Sequence, residues 1–220
     1  MARSREIWKS GWLEATAYDF VVEREPLAGA FGRLIWGVEA AKLYRDIARL
    51  ADAPDGTSIL DIPCGGGVAF RGLRTRQKIR YVAADLSPVM LDRARAEARR
   101  RRLEWIEFVE ADVEALPFED RSFELCISYT GLHCFPDPAA AIAEMARVLK
   151  ASGELRGSCV VRERGLRQGA FIRLAQRAAV FGPCGTASEL GSWLEAAGLR
   201  DASIELDGAL SYFSARRPAP

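Results

Sequence analysis

The stretch Ile59-Leu60-Asp61-Ile62-Pro63-Cys64-Gly65-Gly66-Gly67 decides the fold. Apolar residues lead into an acid, and three consecutive glycines then open a turn. Glycine adopts positive φ without penalty and lets a backbone approach a ligand closely. The segment therefore reads as a buried strand, Ser58–Ile62, that ends in a ligand-facing turn. A dinucleotide fingerprint would carry Gly or Ala three residues after its second glycine, for close helix–strand packing. Counting from Gly65 and Gly67, that position is Phe70, and the absence of Gly-Lys-Ser/Thr excludes a P-loop.

Working outward from this turn, strands and helices alternate. A helix is expected near Val68–Thr75, a strand over Ile79–Ala84, and a helix over Pro88–Arg102 with Ser87 as its cap. Strands follow at Ile106–Glu110 and Leu125–Tyr129, the latter after the turn Glu119-Asp120-Arg121-Ser122. A helix over Pro138–Leu149 is ended by Ser152-Gly153, and Glu154–Val161 forms a fifth strand. The tail carries a helix at Ala187–Ala197, stopped by Gly198, then strands near Ala202–Leu206 and Leu210–Ala215 joined at Asp207-Gly208, a strong hairpin signal. Upstream, Trp36, Ala40, Leu43, Ile47 and Leu50 recur at helical spacing until Pro54-Asp55-Gly56 breaks the pattern. Such alternation means a doubly wound α/β domain whose mostly parallel sheet closes with an antiparallel edge strand. Ligands of such sheets bind at the carboxyl ends of the strands, beside the switch point.

Each of those ends carries chemistry. Asp85, in Ala84-Asp85-Leu86-Ser87-Pro88, ends the second strand, where a carboxylate can accept from both hydroxyls of a ribose. Asp112, after the third strand, could accept from an exocyclic adenine amine while the next backbone N–H donates to a ring nitrogen. Ser128-Tyr129-Thr130-Gly131-Leu132-His133 lies at the end of the fourth strand, and His133 is the single histidine. A lone histidine is more often packed than catalytic, although a loop on the ligand side is where function concentrates.

Taken together, LDIPCGGG (60–67), AADLSP (83–88), EADVEALPFEDRSFELCIS (110–128) and GLHCFPDPAAAIAEMARVLKASGEL (131–155) resemble the ordered motifs of class I S-adenosylmethionine-dependent methyltransferases. The similarity is greatest to the broad small-molecule group called type 11, which includes quinone-ring methyltransferases. It implies a Rossmann-like, seven-stranded sheet and S-adenosylmethionine as cofactor. Asp61 and the backbone at Pro63, Cys64 and Gly65 would hold the methionine end, with Gly67 shaping the loop. Asp85 would take the ribose, Leu86 would pack on adenine, Asp112 and Val113 would read its edge, and Ser128 and Tyr129 would line the floor near the sulfonium. The chain departs from the family at Pro63, where glycine is common; proline lacks an N–H to offer.

Methyl transfer from a sulfonium is a direct displacement, in which orientation alone can supply roughly 7–11 kcal/mol. A general base is needed only for an acceptor that must lose a proton, and His133 and Tyr129 are then the candidates. The acceptor pocket is expected from parts outside the common core. One is the aromatic N-terminal segment (Trp8, Trp12, Tyr18, Phe20, Phe31) through Trp36; the other is an insertion at Arg162–Pro183 with Phe171, Leu174, Ala178 and Phe181 in a helical stripe. An apolar or aromatic small molecule would suit such walls, with the insertion as a lid. One domain results, divided into an N-terminal helical segment (1–53), a cofactor core (54–161), the insertion (162–185) and a C-terminal helix and hairpin (186–220).

Composition narrows the classes. Lys plus Arg (31) balances Asp plus Glu (30), so no global field draws nucleic acid or anionic membrane. The arginine run Arg99–Arg102 reads as a solvated helix end. Five cysteines without a C-x-x-C pair argue against zinc or a disulfide framework and for a reducing cytoplasm. No stretch reaches the ~18 apolar residues of a membrane span, and MARSREIWKSGW has no signal-peptide core. Arginine outnumbers lysine, which stands only at 9, 42, 78 and 150, as in GC-rich bacterial genomes. No metal is expected, and the oligomeric state stays open. Two further readings remain: a nicotinamide-dependent oxidoreductase, disfavoured by Phe70 and Asp112, and a non-catalytic S-adenosylmethionine-binding protein on the same fold.

Overall fold

The computed structural model describes residues 40–162, 166–178 and 181–219. The aromatic N-terminal segment through Trp36 lies outside them. Helix α1 (Ala40–Ala48) continues into a 3-10 turn over Arg49–Asp52, and Leu43, Ile47 and Leu50 of the expected stripe are buried. Strand β1 (Ser58–Asp61) is followed by the glycine turn and a 3-10 helix, Val68–Gly72, then by β2 (Arg80–Asp85) and helix α2 (Pro88–Arg101). Next come β3 (Glu107–Glu110), β4 (Phe123–Tyr129), a short 3-10 turn at Leu132–Cys134, helix α3 (Pro138–Val148) and β5 (Leu149–Val160). Helix α4 (Leu166–Arg177) belongs to the insertion, and α5 (Ala187–Ala196) leads into β6 (Arg200–Asp207) and β7 (Leu210–Arg216).

Local chemistry explains these boundaries. Ser87 accepts from the Met90 N–H at 3.4 Å with Pro88 at the first turn of α2, and Asp137 accepts from the Ala140 N–H at 3.0 Å ahead of Pro138 in α3. Thr186 and Glu189 close a reciprocal capping box on α5. Two expectations shift. The helix expected over Val68–Thr75 is a 3-10 segment ending at Gly72, where Leu73 turns to extended backbone and its N–H donates to the Phe70 carbonyl. Helix α1 sits directly on Gly72, where a Cβ would lie 2.0 Å from the Ile47 carbonyl oxygen. Strand β5 begins at Leu149, and Ser152-Gly153 falls inside it, where the β4–β5 register slips between Phe123 and Leu125 and Ser152 takes φ 61°.

The seven strands run in the order β3-β2-β1-β4-β5-β7-β6. The first five pair in parallel; β7 enters antiparallel between β5 and β6, so the β6 edge is closed by the antiparallel hairpin. Alternation along each strand feeds two core layers. One face carries Leu60, Val82, Cys126, Leu155 and Phe213 against α3 and α5. The other carries Ile59, Tyr81, Ile127, Tyr129 and Tyr212 with Leu43 and Ile47 of α1 and Ala94 of α2. The order reverses at β1, with β2 on one side and β4 on the other, which places the switch point at the glycine turn.

Candidate active site

In-register pairing of Asp61 with Ala83 and Ile127 brings the β1 tip level with the ends of β2 and β4. The Ile62–Pro63 peptide is cis. The chain is then pinned by Ile62 N–H to the Ile127 carbonyl (3.0 Å) and Cys64 N–H to the Ala84 carbonyl (2.8 Å). Gly65 and Gly67 take positive φ, 52° and 89°. A Cβ on Gly67 would also stand 2.6 Å from the Phe70 ring, which is fully buried edge-on to Tyr81 and Phe108. The residue that departs from the dinucleotide pattern is thus the anchor that gives this turn its shape.

The acids fall where the sequence places them. Asp61 is buried and accepts from the Tyr81 hydroxyl at 2.8 Å. Burial pushes its carboxyl up to about 8; the Tyr81 bond opposes this and the neighbouring Asp85 charge adds to it. Asp85 binds the turn itself: Oδ2 accepts from Gly65 N–H and Oδ1 from Ser87 N–H, each at 2.9 Å. Burial raises it to about 6 against the pull of the Ser87, Gly65 and Leu86 amides. Leu86 is half-buried beside it. Asp112 accepts from the Glu114 N–H at 3.0 Å just past β3, beside the buried Val113.

Pro63 packs its ring against the β4 loop, where a Cβ on Gly131 would come within 2.2 Å of Pro63 Cδ. Cys64 is buried, as are all five cysteines, and none is in a disulfide. Ser128, at the end of β4, is fully buried and its Oγ makes no hydrogen bond. A buried hydroxyl without a partner is uncommon and marks a place where a polar ligand atom fits.

Both candidate bases are neutral and occupied. His133 is buried edge-on to Phe181 at 4.5 Å, and burial holds its imidazole down to about 3. Its Nδ1 accepts from the Val160 N–H at 3.2 Å, which assigns the ring proton to Nε2. Tyr129 donates to Asp46 Oδ2 on α1 at 2.7 Å. Burial keeps its phenol well above the ordinary range, against the pull of the nearby Arg156 charge.

Three residues here escape a reading of sequence. Tyr81 looks like an ordinary core aromatic, and Asp46 like one more charge on a helix. Arg156 left a signal, a lone cation inside Leu155-Arg156-Gly157-Ser158-Cys159-Val160-Val161. Among the described residues no three His, Cys, Asp or Glu are grouped to hold a metal, and no helix is long and apolar enough to cross a membrane.

The model of a methyltransferase domain matches residues 60–156. A phthiotriol/phenolphthiotriol dimycocerosates methyltransferase of Mycobacterium tuberculosis is 34% identical over 50% of this chain and 40% of its own length. A malonyl-[acyl-carrier protein] O-methyltransferase of Serratia marcescens is 32% identical over 63% of this chain and 54% of its own length. The matches thus span about half or less of those relatives. Among solved structures, the phosphoethanolamine N-methyltransferase 2 of Haemonchus contortus in complex with S-adenosyl-L-methionine superposes with a TM-score of 0.75 at 14% identity, over 98% of this chain and 60% of that one. Its likeness is one of fold. The sheet order, the glycine turn and the matched segment agree: residues 60–156 match a methyltransferase domain, set on the Rossmann-like sheet that such structures share.

Proposed function

We propose that this protein transfers a methyl group from S-adenosylmethionine to a small-molecule acceptor with a largely apolar or aromatic body. The observation that carries the reading is the placement of Asp61, Asp85 and Asp112 at successive strand ends around a glycine turn, with the partnerless Ser128 Oγ at the end of β4. The bound cofactor supplies a methyl on a positively charged sulfur.

The residues fit that group. The Asp61 carboxyl, held by Tyr81, would ionise against the cofactor's ammonium, and the N–H groups of the turn suit the cofactor's carboxylate. Asp85 takes the backbone amides of Gly65, Ser87 and Leu86 and keeps acceptor capacity at the strand end for a ribose hydroxyl. Asp112 and Val113 would meet the adenine edge, and Leu86 its face. Pro63 contributes packing rather than an amide. His133 and Tyr129 position rather than deprotonate: a histidine base would need its Nδ1 released from Val160, and the Tyr129 phenol stays protonated. An acceptor that arrives already nucleophilic suits such a site, and in-line alignment then does most of the catalytic work.

Walls for the acceptor come from α1, through Leu43 and Ile47, and from the insertion, through Ile172 and Phe181. The relatives named for phthiotriol/phenolphthiotriol dimycocerosates and for malonyl-[acyl-carrier protein] are consistent with a bulky acceptor entering past such walls. Calorimetric titration tests the reading. Micromolar binding of S-adenosylmethionine and S-adenosylhomocysteine, weakened at least tenfold by Asp85→Ala, is expected. Tighter binding of NAD would reject it.

A further inference from the structure

Arg156 stands on β5 with its side chain on the α1 side of the sheet, paired with Ile127 on β4 and Ser214 on β7. It is only 7% exposed, and its Nε is buried without a hydrogen-bond partner. On the adjacent strand, Tyr212 is 8% exposed and its hydroxyl is likewise buried and partnerless. The strand register (Arg156 opposite Ser214, Ser158 opposite Tyr212) sets these two groups one step apart on the same face, beside Tyr129.

A guanidinium cannot shed its proton, so burial without a counter-ion is costly. The surrounding carboxylates are engaged elsewhere. Asp46 holds Tyr129 at 2.7 Å and Arg49 at 3.3 Å, Asp61 holds Tyr81 at 2.8 Å, Glu154 holds Arg216 at 2.9 Å and Glu205 holds Lys42 at 2.6 Å. The planar fork of arginine matches an oxyanion, and a tyrosine hydroxyl adds a donor. The same face also carries an apolar cluster, with Leu43, Ile47, Ile172 and Phe181 beside Tyr129 and Tyr212.

We infer that Arg156, with Tyr212, binds an oxyanion of the methyl acceptor, which is therefore an amphiphilic acid: an apolar body carrying a carboxylate or phosphate. This deepens the methyltransferase reading and rests on it for the acceptor's role. It also agrees with a site whose two candidate bases are neutral, since an anionic acceptor needs no base to engage.

The test uses the full chain saturated with S-adenosylhomocysteine and titrated with octanoate, octyl phosphate and octanol. At least one of the two anions is expected to bind more tightly than octanol, and at least tenfold more weakly to Arg156→Met. The anion preferred tells carboxylate from phosphate. Tyr212→Phe should lose a smaller part of that affinity, and Arg156→Lys should restore some of it. Arg156→Met should unfold no lower in temperature than the parent, because it removes a buried, unpaired charge while keeping the apolar stem. A fall in its unfolding midpoint would mark Arg156 as structural and overturn the inference, as would equal anion binding by Arg156→Met or a preference for octanol. Titration with S-adenosylhomocysteine alone separates the two readings. If Arg156→Met weakens that binding, the oxyanion is the cofactor's own carboxylate and the inference fails. If the parent does not bind S-adenosylhomocysteine, the methyltransferase reading fails, while the anion comparison without cofactor still decides Arg156.

Discussion

At the scale of the residue, the most consequential group is Asp61. Its folded pKa of about 8 lies above the ordinary aspartate value of 3.8, so between those values the ligand-free protein holds a proton that the unfolded chain releases. The ligand-free fold should therefore lose stability as pH rises from about 4 to about 8, a trend that thermal unfolding across that window reads directly. An arriving ammonium reverses the balance by favouring the carboxylate. Binding of S-adenosylhomocysteine at pH 7 should then release a proton, seen as a dependence of the calorimetric heat on the buffer's ionisation enthalpy. Asp61→Asn should abolish that dependence; if the variant keeps it, Asp61 is not the group that titrates.

At the scale of the element, the glycine turn and its 3-10 helix act as one unit. Gly67 at φ 89° and the ring of Phe70 occupy space that any Cβ would need. Gly67→Ala should cost about 1–3 kcal/mol of stability from the backbone conformation alone. It should also weaken S-adenosylhomocysteine, because Gly65 and its bond to Asp85 lie in the same turn. Denaturant titration beside calorimetry checks both, and an unchanged pair of values would show that the turn tolerates the substitution. This turn was legible in sequence because glycines after an acid-terminated strand have few other uses. That Phe70 packs against Gly67 was not, since nothing in the pattern tells a buried ring from a misplaced one. The short 3-10 form of the segment after it was not legible for a related reason: Gly72 lies against the Ile47 carbonyl, a neighbour more than twenty positions away in the chain.

At the scale of the whole molecule, alternating strand and helix signals were enough for the sheet, its parallel core and its closing hairpin. They could not show which side chains meet across it. The link from Tyr129 to Asp46 joins β4 to α1, and Arg156 resembles a surface residue in a strand until both neighbouring strands are in place. Stability is expected to be uneven across this frame. Of the described side chains of α4, only Ile172 is buried, whereas α3 buries Ala141, Ile142, Met145, Ala146 and Val148. Hydrogen exchange should therefore open α4 well before α3, by several orders of magnitude in rate. Equal protection of the two would mean that the insertion is an integral part of the core rather than a cover upon it.

The reversed direction of β7 has a practical consequence. Strand β5 ends on the side where the acids gather, but β7 runs back, so that Arg216 pairs with Glu154 and Arg217 meets Ser152 and Gly153 at the far end of the sheet. Whatever is attached beyond residue 219 therefore leaves from the side opposite the cofactor loops. A fluorophore, an affinity handle or a surface tether placed there would stand away from the strand ends proposed to hold the cofactor.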